Sequence, residues 1–204
     1  YDLLSLGFWP GGDRDGNPFV TTEITLKTSQ KLRSDIIKNY YRDVRKLRRR
    51  LTFKKIEDII TKIEDDLYIS IFETNKSPKI SLSKLIEKLE FIRETVINEH
   101  KSLFLDKLDE LIDKVKIFGY HFATLDIRQD SRIHSKVFEE IFKKAFSKEF
   151  PDNYSILSEV KKIKILSKLK GKKINKIKFD DALVNSTIES IGAMKTIQKS
   201  NGEK

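Results

Sequence analysis

Apolar residues recur at intervals of three and four through most of the chain, a spacing that puts them on one face of an α-helix. Thr21 or Thr22 precedes the first such stretch and can cap that helix through its hydroxyl. We therefore predict helices at about residues 21–50, 53–73, 81–99, 102–118, 131–146, 155–169 and 180–200. The apolar face of the first helix comprises Leu26, Ile36, Ile37, Tyr40, Tyr41, Val44 and Leu47.

Two segments break the helical pattern and are typical of short strands. Residues 3–9 form a brief apolar run before a loop rich in glycine and proline. Residues 120–128 alternate and are rich in aromatic and branched side chains, which predicts a second strand after Gly119. Two strands alone make a poor sheet, so these pair either with each other or with strands outside the chain.

Strands that lead through polar loops into helices are what part of a β/α barrel supplies. The pattern therefore predicts a mainly α-helical segment of an α/β fold of the β/α-barrel type, with two short isolated strands. We expect a single internal fragment of a longer protein, with a strand and loop at 1–20, helices at 21–118, a strand at 119–130 and helices at 131–204.

Composition narrows the class of protein further. The chain has no cysteine, which excludes a disulfide framework and a thiolate zinc site. It also has no run of about 18 apolar residues, so we expect no membrane span. The start at Tyr1 has neither an initiator Met nor a basic segment, so it is not expected to be a signal peptide.

The net charge of +10 leaves an alternative open, a basic helical module that binds nucleic acid or protein without catalysis. Its strongest feature is the basic run at residues 42–50. Cations at the C-terminal end of a helix complement the helix dipole, and the nearby aromatic residues have core spacing. A solvated helix end is therefore the favoured interpretation, and nucleic acid is not the expected partner.

The loop at residues 11–18 fails the tests for two common ligand motifs. Asp13 stands where a P-loop requires the phosphate-binding lysine. The acidic and amide residues have the spacing of a calcium loop, but Pro18 replaces the required glycine and Ile24 the closing glutamate. Neither a P-loop nor an EF-hand is therefore predicted.

What remains is an arginine, Arg14, between two carboxylates. Asp13 and Asp15 can orient its guanidinium through charge-assisted hydrogen bonds. Glycines let backbone N–H groups approach an anion closely. Two interpretations stay open, an anion-recognition loop and a tight turn held by Asp–Arg pairs without a ligand. The other loop residues are Gly11, Gly12, Gly16 and Asn17.

The run GGDRDGNP at residues 11–18, followed by Val20 and Thr21, resembles a signature of the phosphoenolpyruvate carboxylase family. A second run, LDIRQDS at residues 125–131 with His134 after it, is similar to the LDIRQES and histidine stretch of that family. The two matches occur in the family's order.

The chain departs from the family pattern at two positions. Pro10 stands where the family usually has Met. Ile133 replaces the usual arginine directly before the histidine, which leaves the role of Arg132 open.

The resemblance implies an enzyme that forms oxaloacetate and phosphate from phosphoenolpyruvate and bicarbonate with Mg²⁺ or Mn²⁺. Arg128 resembles the family's phosphate-binding arginine, with an ion pair to Asp126 or Asp130 as the alternative. Arg14 resembles the signature-loop arginine, which either contacts substrate or shapes the loop. The residues expected to order these loops are Asp13, Asp15, Gly11, Gly12, Gly16, Asn17, Asp126 and Gln129.

Other parts of the family's site do not occur in this sequence. The family's catalytic histidine lies in a TAHPT motif, and the histidines here, His100, His121 and His134, have other neighbours. The metal-binding acidic residues of the family also lie beyond this segment. We therefore expect the rest of the polypeptide to supply the base and the metal ligands, and the chain alone to be inactive. By resemblance, the complete enzyme is a cytoplasmic homotetramer.

Overall fold

The computed structural model describes residues 6–17, 19–73, 76–146, 151, 153–169 and 177–201. This part of the chain is mainly helical with two short strands, as predicted. Its elements are β1 (Gly7–Phe8), α1 (Thr22–Arg48), α2 (Lys54–Phe72), α3 (Leu82–Glu99), α4 (Leu105–Phe118), β2 (Thr124–Leu125), α5 (Ser131–Ala145), a 3₁₀ turn (Tyr154–Ile156), α6 (Glu159–Leu166) and α7 (Ala182–Asn201).

Helices α1 to α4 share one hydrophobic core. Helix α1 packs along α2 and α4, and α3 packs along α4. Each fully buried Leu or Ile side chain contributes about 1.5–3 kcal/mol relative to an exposed one, so this core is the main source of stability. Its fully buried members include Ile37, Tyr40, Val44, Leu51, Ile56, Ile60, Ile63, Leu67, Leu85, Ile92, Val96, Leu108 and Val115.

Local contacts set where these helices begin. The hydroxyl of Thr21 accepts the Ile24 N–H at 3.3 Å and caps α1, as expected from the sequence. Helix α4 begins at Leu105, later than the predicted residue 102, because Ser102 and Phe104 have φ of 57° and 60°. A left-handed backbone cannot continue into the first turn of a right-handed helix.

The second predicted strand is much shorter in the structure than residues 120–128. Tyr120 is buried in the helical core, where its hydroxyl donates to the Ile80 carbonyl at 3.0 Å. Phe122 has φ of 69°, which breaks an extended backbone. The alternating pattern therefore reflects a turn that inserts one aromatic ring into the core, followed by a two-residue strand. Of the first predicted strand, residues 3–5 lie outside the described residues.

The two strands pair with each other, which was one of the two expected alternatives. They are parallel, with Gly7 opposite Thr124 and Phe8 opposite Leu125. The Thr124 N–H donates to the Leu6 carbonyl at 2.9 Å. Parallel strands need a long connection, and here helices α1 to α4 provide it.

Helix α7 lies against the N-terminal half of α1 through a polar contact. Thr25, Ser29 and Arg33 are buried there, one helical turn apart. The guanidinium of Arg33 donates to the Ser200 carbonyl at 3.1 Å. The predicted apolar face is therefore wrong for this half of α1, where Leu26 is only partly buried. Small polar residues let two helix backbones approach closely while side chains satisfy the buried groups.

A second, smaller apolar cluster joins α5 to α7. Its buried members are Val137, Phe179 and Val184, and Ile133 packs against them. The region predicted as one helix at 155–169 instead contains the 3₁₀ turn and α6. Ser158 has an extended backbone between them, with ψ of 151°. None of the described helices is long and apolar enough to cross a membrane.

Candidate functional site

The loops that follow β1 and β2 lie side by side and contain the two sequence motifs. Asp13 and Arg128 form a parallel β-bridge. The Arg14 N–H donates to the Arg128 carbonyl at 2.9 Å, and the Arg128 N–H donates to the Gly12 carbonyl at 3.0 Å. The backbone hydrogen bonds therefore join two segments that are separated in the chain by helices α1 to α4.

Two glycines allow this close approach. A Cβ atom on Gly12 would overlap the Asp126 carbonyl oxygen and lie 3.0 Å from its carbonyl carbon. Gly11 has φ of 82°, and a Cβ there would lie 2.9 Å from the Cβ of Thr28 on α1. The hydroxyl of Thr25 donates to the Gly11 carbonyl at 2.7 Å. The first loop is thus packed between the second motif and α1.

The rest of the first loop is shaped by local turns. Asp13 accepts the Asp15 N–H at 3.1 Å through its carboxylate, and Asn17 accepts the Phe19 N–H at 3.1 Å through its amide oxygen. Gly16 has φ of 69° with open space around it. These side chains order the loop as Asx turns. Pro18 lies outside the described residues.

Arg14 contacts helix α7 instead of its acidic neighbours. Its Nη2 atom donates to the Ser186 hydroxyl at 2.6 Å, and its Nη1 atom donates to the Ser186 carbonyl at 3.3 Å. The ion pairs of the described residues include none between Arg14 and Asp13 or Asp15, so the expected Asp–Arg clamp is replaced by this contact. The contact favours the loop-shaping interpretation of Arg14.

Arg128 extends into solvent at the end of β2. Its Nη2 atom lies 3.2 Å from the Asp126 carboxylate, and the two side chains are 58% and 42% exposed. This is the ion pair that the sequence offered as an alternative role. An exposed pair of this kind contributes only about 0–1 kcal/mol. A phosphate group can therefore compete with Asp126 for the guanidinium at little energetic cost.

Asp130, the other expected partner of Arg128, is bound by Arg132. Asp130 accepts the Arg132 N–H at 2.8 Å at the start of α5, and the Arg132 Nε atom lies 3.0 Å from the carboxylate. The side-chain hydrogen bond from Arg132 lowers the pKa of Asp130 below its usual value. Ile133 is directed into the small apolar cluster. Arg132 therefore orders the helix start in this chain, with its side chain 89% exposed.

Gln129 carries a buried oxygen, Oε1, that accepts no hydrogen bond within the described part of the chain. Buried polar atoms are normally paired with protein or with water.

A cavity of about 260 Å³ lies beside the first loop, between Trp9 and the acidic residues Asp13 and Asp15. Its acidic lining repels an anion such as phosphate.

Two arginines of the basic run at residues 42–50 contact other parts of the helical bundle at its surface. The Nε atom of Arg48 lies 2.9 Å from the carboxylate of Glu64. The guanidinium of Arg50 lies 5.5 Å from the centre of the Phe104 ring. Both contacts are intramolecular uses of these cations.

The family's divalent metal does not fit the residues described. No group of three or more His, Asp or Glu side chains within them could hold a metal ion. Asp126 and Asp130 are instead paired with arginines.

The sequence did not indicate the residues of α1 and α7 that lie against the first loop. Ser186, Thr25 and Thr28 lie in helices outside both motifs. Hydroxyl side chains at these positions fit a solvated helix face equally well, so no sequence signal distinguishes them. Only the packing of α7 against α1 and the loop shows their contacts.

Comparison with known proteins agrees with the two motifs. The family model described as phosphoenolpyruvate carboxylase matches residues 1–77 and 69–204. A phosphoenolpyruvate carboxylase from Gloeobacter violaceus is 29% identical over 63% of this chain, which corresponds to 19% of that protein. One from Thermosynechococcus vestitus is 26% identical over 96% of this chain, which corresponds to 24% of that protein. The chain thus spans about a fifth to a quarter of the length of these relatives, and it belongs to the phosphoenolpyruvate carboxylase family.

Proposed function

We propose that this chain is part of an enzyme that forms oxaloacetate and phosphate from phosphoenolpyruvate and bicarbonate. Family membership over the whole chain supports the reaction class. The observation that carries the proposal is the backbone bridge between the two motifs, because it brings residues of both to the same end of β1 and β2. In the complete fold these strands belong to a β/α barrel, whose active site lies at the carboxyl ends of the strands.

In this proposal Arg128 binds the phosphoryl group of phosphoenolpyruvate. Bicarbonate attacks the phosphorus, and the bond to the enol oxygen breaks, which gives carboxyphosphate and the enolate of pyruvate. Carboxyphosphate releases CO₂ and phosphate, and the enolate carbon bonds to CO₂. Negative charge develops on oxygen atoms throughout, and a fixed guanidinium stabilises it without reorganising. The weak pair with Asp126 holds Arg128 near this position before substrate binds.

The first loop has a supporting role in the proposal. Arg14 fixes the loop to α7, while Asp13, Asp15 and Asn17 shape its turns. Gly11 and Gly12 permit the close packing of this loop against Thr28 and the Asp126 carbonyl. By resemblance to the family, Asp126 and Gln129 order the second loop beside it. These residues determine where Arg128 lies, and they carry no proton in the reaction.

The remaining polypeptide supplies the catalytic base and the ligands for Mg²⁺ or Mn²⁺. We propose that the 204-residue chain alone is therefore inactive, and that the complete enzyme is a homotetramer of the cytoplasm.

A coupled assay tests this function. Oxaloacetate formation is followed through malate dehydrogenase and NADH, with Mg²⁺ and bicarbonate present. The complete polypeptide should turn over, and the 204-residue chain should match the blank without phosphoenolpyruvate. Steady turnover by the chain alone contradicts its inactivity, and no turnover by the complete polypeptide contradicts the proposed function.

A further inference from the structure

The contact between Arg14 and Ser186 connects the first motif loop to a helix outside both motifs. Nη2 of Arg14 donates to the Ser186 hydroxyl at 2.6 Å, a hydrogen bond whose donor carries a positive charge. The second bond, to the Ser186 carbonyl, is longer at 3.3 Å. The guanidinium is planar, so two bonds to one residue fix its orientation as well as its position.

Helix α7 contacts α5 at its start and α1 near its end. At its start, Asp181 accepts the Leu183 N–H at 2.8 Å and a hydrogen bond from Lys136 of α5 at 2.7 Å. Near its end, Arg33 of α1 donates to the Ser200 carbonyl. Helix α7 therefore links α1 and α5, and the Arg14 side chain contacts it at Ser186, between these two points.

We infer that Ser186 is a positioning residue for the candidate site. Ser186 holds the Arg14 guanidinium, and the Arg14 N–H holds the Arg128 carbonyl at 2.9 Å. The position of Arg128 thereby depends on a hydroxyl that touches neither substrate nor Arg128 itself. The effect on turnover rests on the proposed function, whereas the effect on the loop does not.

Amide hydrogen exchange in the 204-residue chain tests the effect on the loop. In the Ser186→Ala variant, the Arg14 and Arg128 amides should exchange about tenfold faster, because a hydrogen bond to a charged group is lost. Ser186→Thr retains the hydroxyl and should restore slow exchange. The matched control is Ser190→Ala in the same helix, since the Ser190 hydroxyl bonds within the helix to the Thr187 carbonyl at 2.8 Å.

Tryptophan fluorescence gives a second readout in the same variants. Trp9 is the only tryptophan, and its carbonyl accepts the Gly12 and Asp13 N–H groups. Its emission should change in Ser186→Ala and stay unchanged in Ser190→Ala. Equal exchange rates and equal emission in the two alanine variants would overturn the inference.

Kinetics of the complete enzyme test the effect on the site. Ser186→Ala should raise KM for phosphoenolpyruvate about tenfold, with a smaller change in kcat, and Ser186→Thr should reverse it. Unchanged KM together with faster exchange contradicts the positioning role. If the unaltered complete protein shows no carboxylation, the proposed function fails, and the exchange experiment still decides whether Ser186 holds the loop.

Discussion

The main-chain N–H of Arg14 donates to the main-chain carbonyl of Arg128 at 2.9 Å, although their side chains have separate partners. Arg14 reaches Ser186 on α7, and Arg128 reaches Asp126 in its own loop after β2. Neighbours along a strand alternate in direction, and Arg128 is paired in register with Asp13, the residue before Arg14. The two motif arginines are therefore joined through the backbone, while their side chains contact different parts of the chain.

Gly12→Ala should separate the two motif loops. The added methyl group meets the Asp126 carbonyl, which is main chain and cannot move aside alone. We expect a loss of about 1–3 kcal/mol in the free energy of unfolding, measured by urea denaturation. The Arg128 amide, which donates to the Gly12 carbonyl, should also lose its protection from hydrogen exchange.

Gly192→Ala in α7 is the matched control. Nothing lies within 4 Å of a Cβ atom at that position. Because alanine is the better helix former, the free energy of unfolding of this variant should rise by about 0.5–1 kcal/mol. Two variants of equal stability, with the Arg128 amide protected in both, would show that the loops do not pack as described.

Arg128→Lys should impair the complete enzyme. Lysine keeps the positive charge but loses the planar pair of donors that matches phosphate. We expect kcat/KM for phosphoenolpyruvate to fall about 100-fold in the coupled assay, the usual effect of losing one stabilising donor. The free chain should keep its stability, because the Arg128 side chain is largely exposed.

Arg132→Lys makes the same chemical change at a nearby, exposed position. Arg132 binds Asp130 at the start of α5, and we place it outside the substrate site. The kcat/KM of the Arg132→Lys enzyme should stay within about threefold of that of the unaltered enzyme. Similar losses of kcat/KM in Arg128→Lys and Arg132→Lys would contradict the proposed phosphate-binding role of Arg128.

Tyr40→Phe should destabilise the helical bundle. The Tyr40 hydroxyl is buried and donates to the Gly119 carbonyl at 2.7 Å, with the Lys114 carbonyl at 3.2 Å. Removal of the hydroxyl leaves a buried carbonyl without a donor, which costs about 1–3 kcal/mol. Urea denaturation followed by circular dichroism measures this, with Tyr41→Phe as the control at a partly buried site.

Tyr40 should also make the free energy of unfolding depend on pH. Burial raises the pKa of Tyr40 well above its usual value, so the folded chain favours the neutral phenol. The stabilisation is complete below the unfolded pKa of about 10 and is lost as pH rises through the raised value. The unaltered chain should therefore lose stability above pH 10 more steeply than Tyr40→Phe. Parallel curves for the two proteins would contradict this.

The helical bundle could be predicted from the sequence because apolar spacing and helix caps are read from residues close together in the chain. Ile56, Ile60, Ile63 and Leu67 repeat at helical spacing, and all four are buried. Thr21 caps α1 as its position indicated. The family resemblance also identified Arg14 and Arg128 as the arginines of the two motifs, which the structure brings together.

Other features depend on contacts that no local pattern encodes. Thr25, Ser29 and Arg33 are typical of an exposed helix face, yet they are buried against α7. Ser186 has no motif around it. Tyr120 lies in an alternating segment that is typical of a strand, yet its ring is buried in the helical core. Its hydroxyl donates to the Ile80 carbonyl there. Each case is settled by the packing of distant segments.

The insertion of α1 to α4 between β1 and β2 has a consequence for the order of folding. Contacts within and between successive helices are local in sequence and form quickly, whereas the bridge from Asp13 to Arg128 must close a very long loop. A folded bundle shortens that loop and lowers the entropy lost when it closes. We therefore expect the bundle to fold first and the two motif loops to meet last, so that a ribosome-bound chain brings Asp13 and Arg128 together only after α4 has formed.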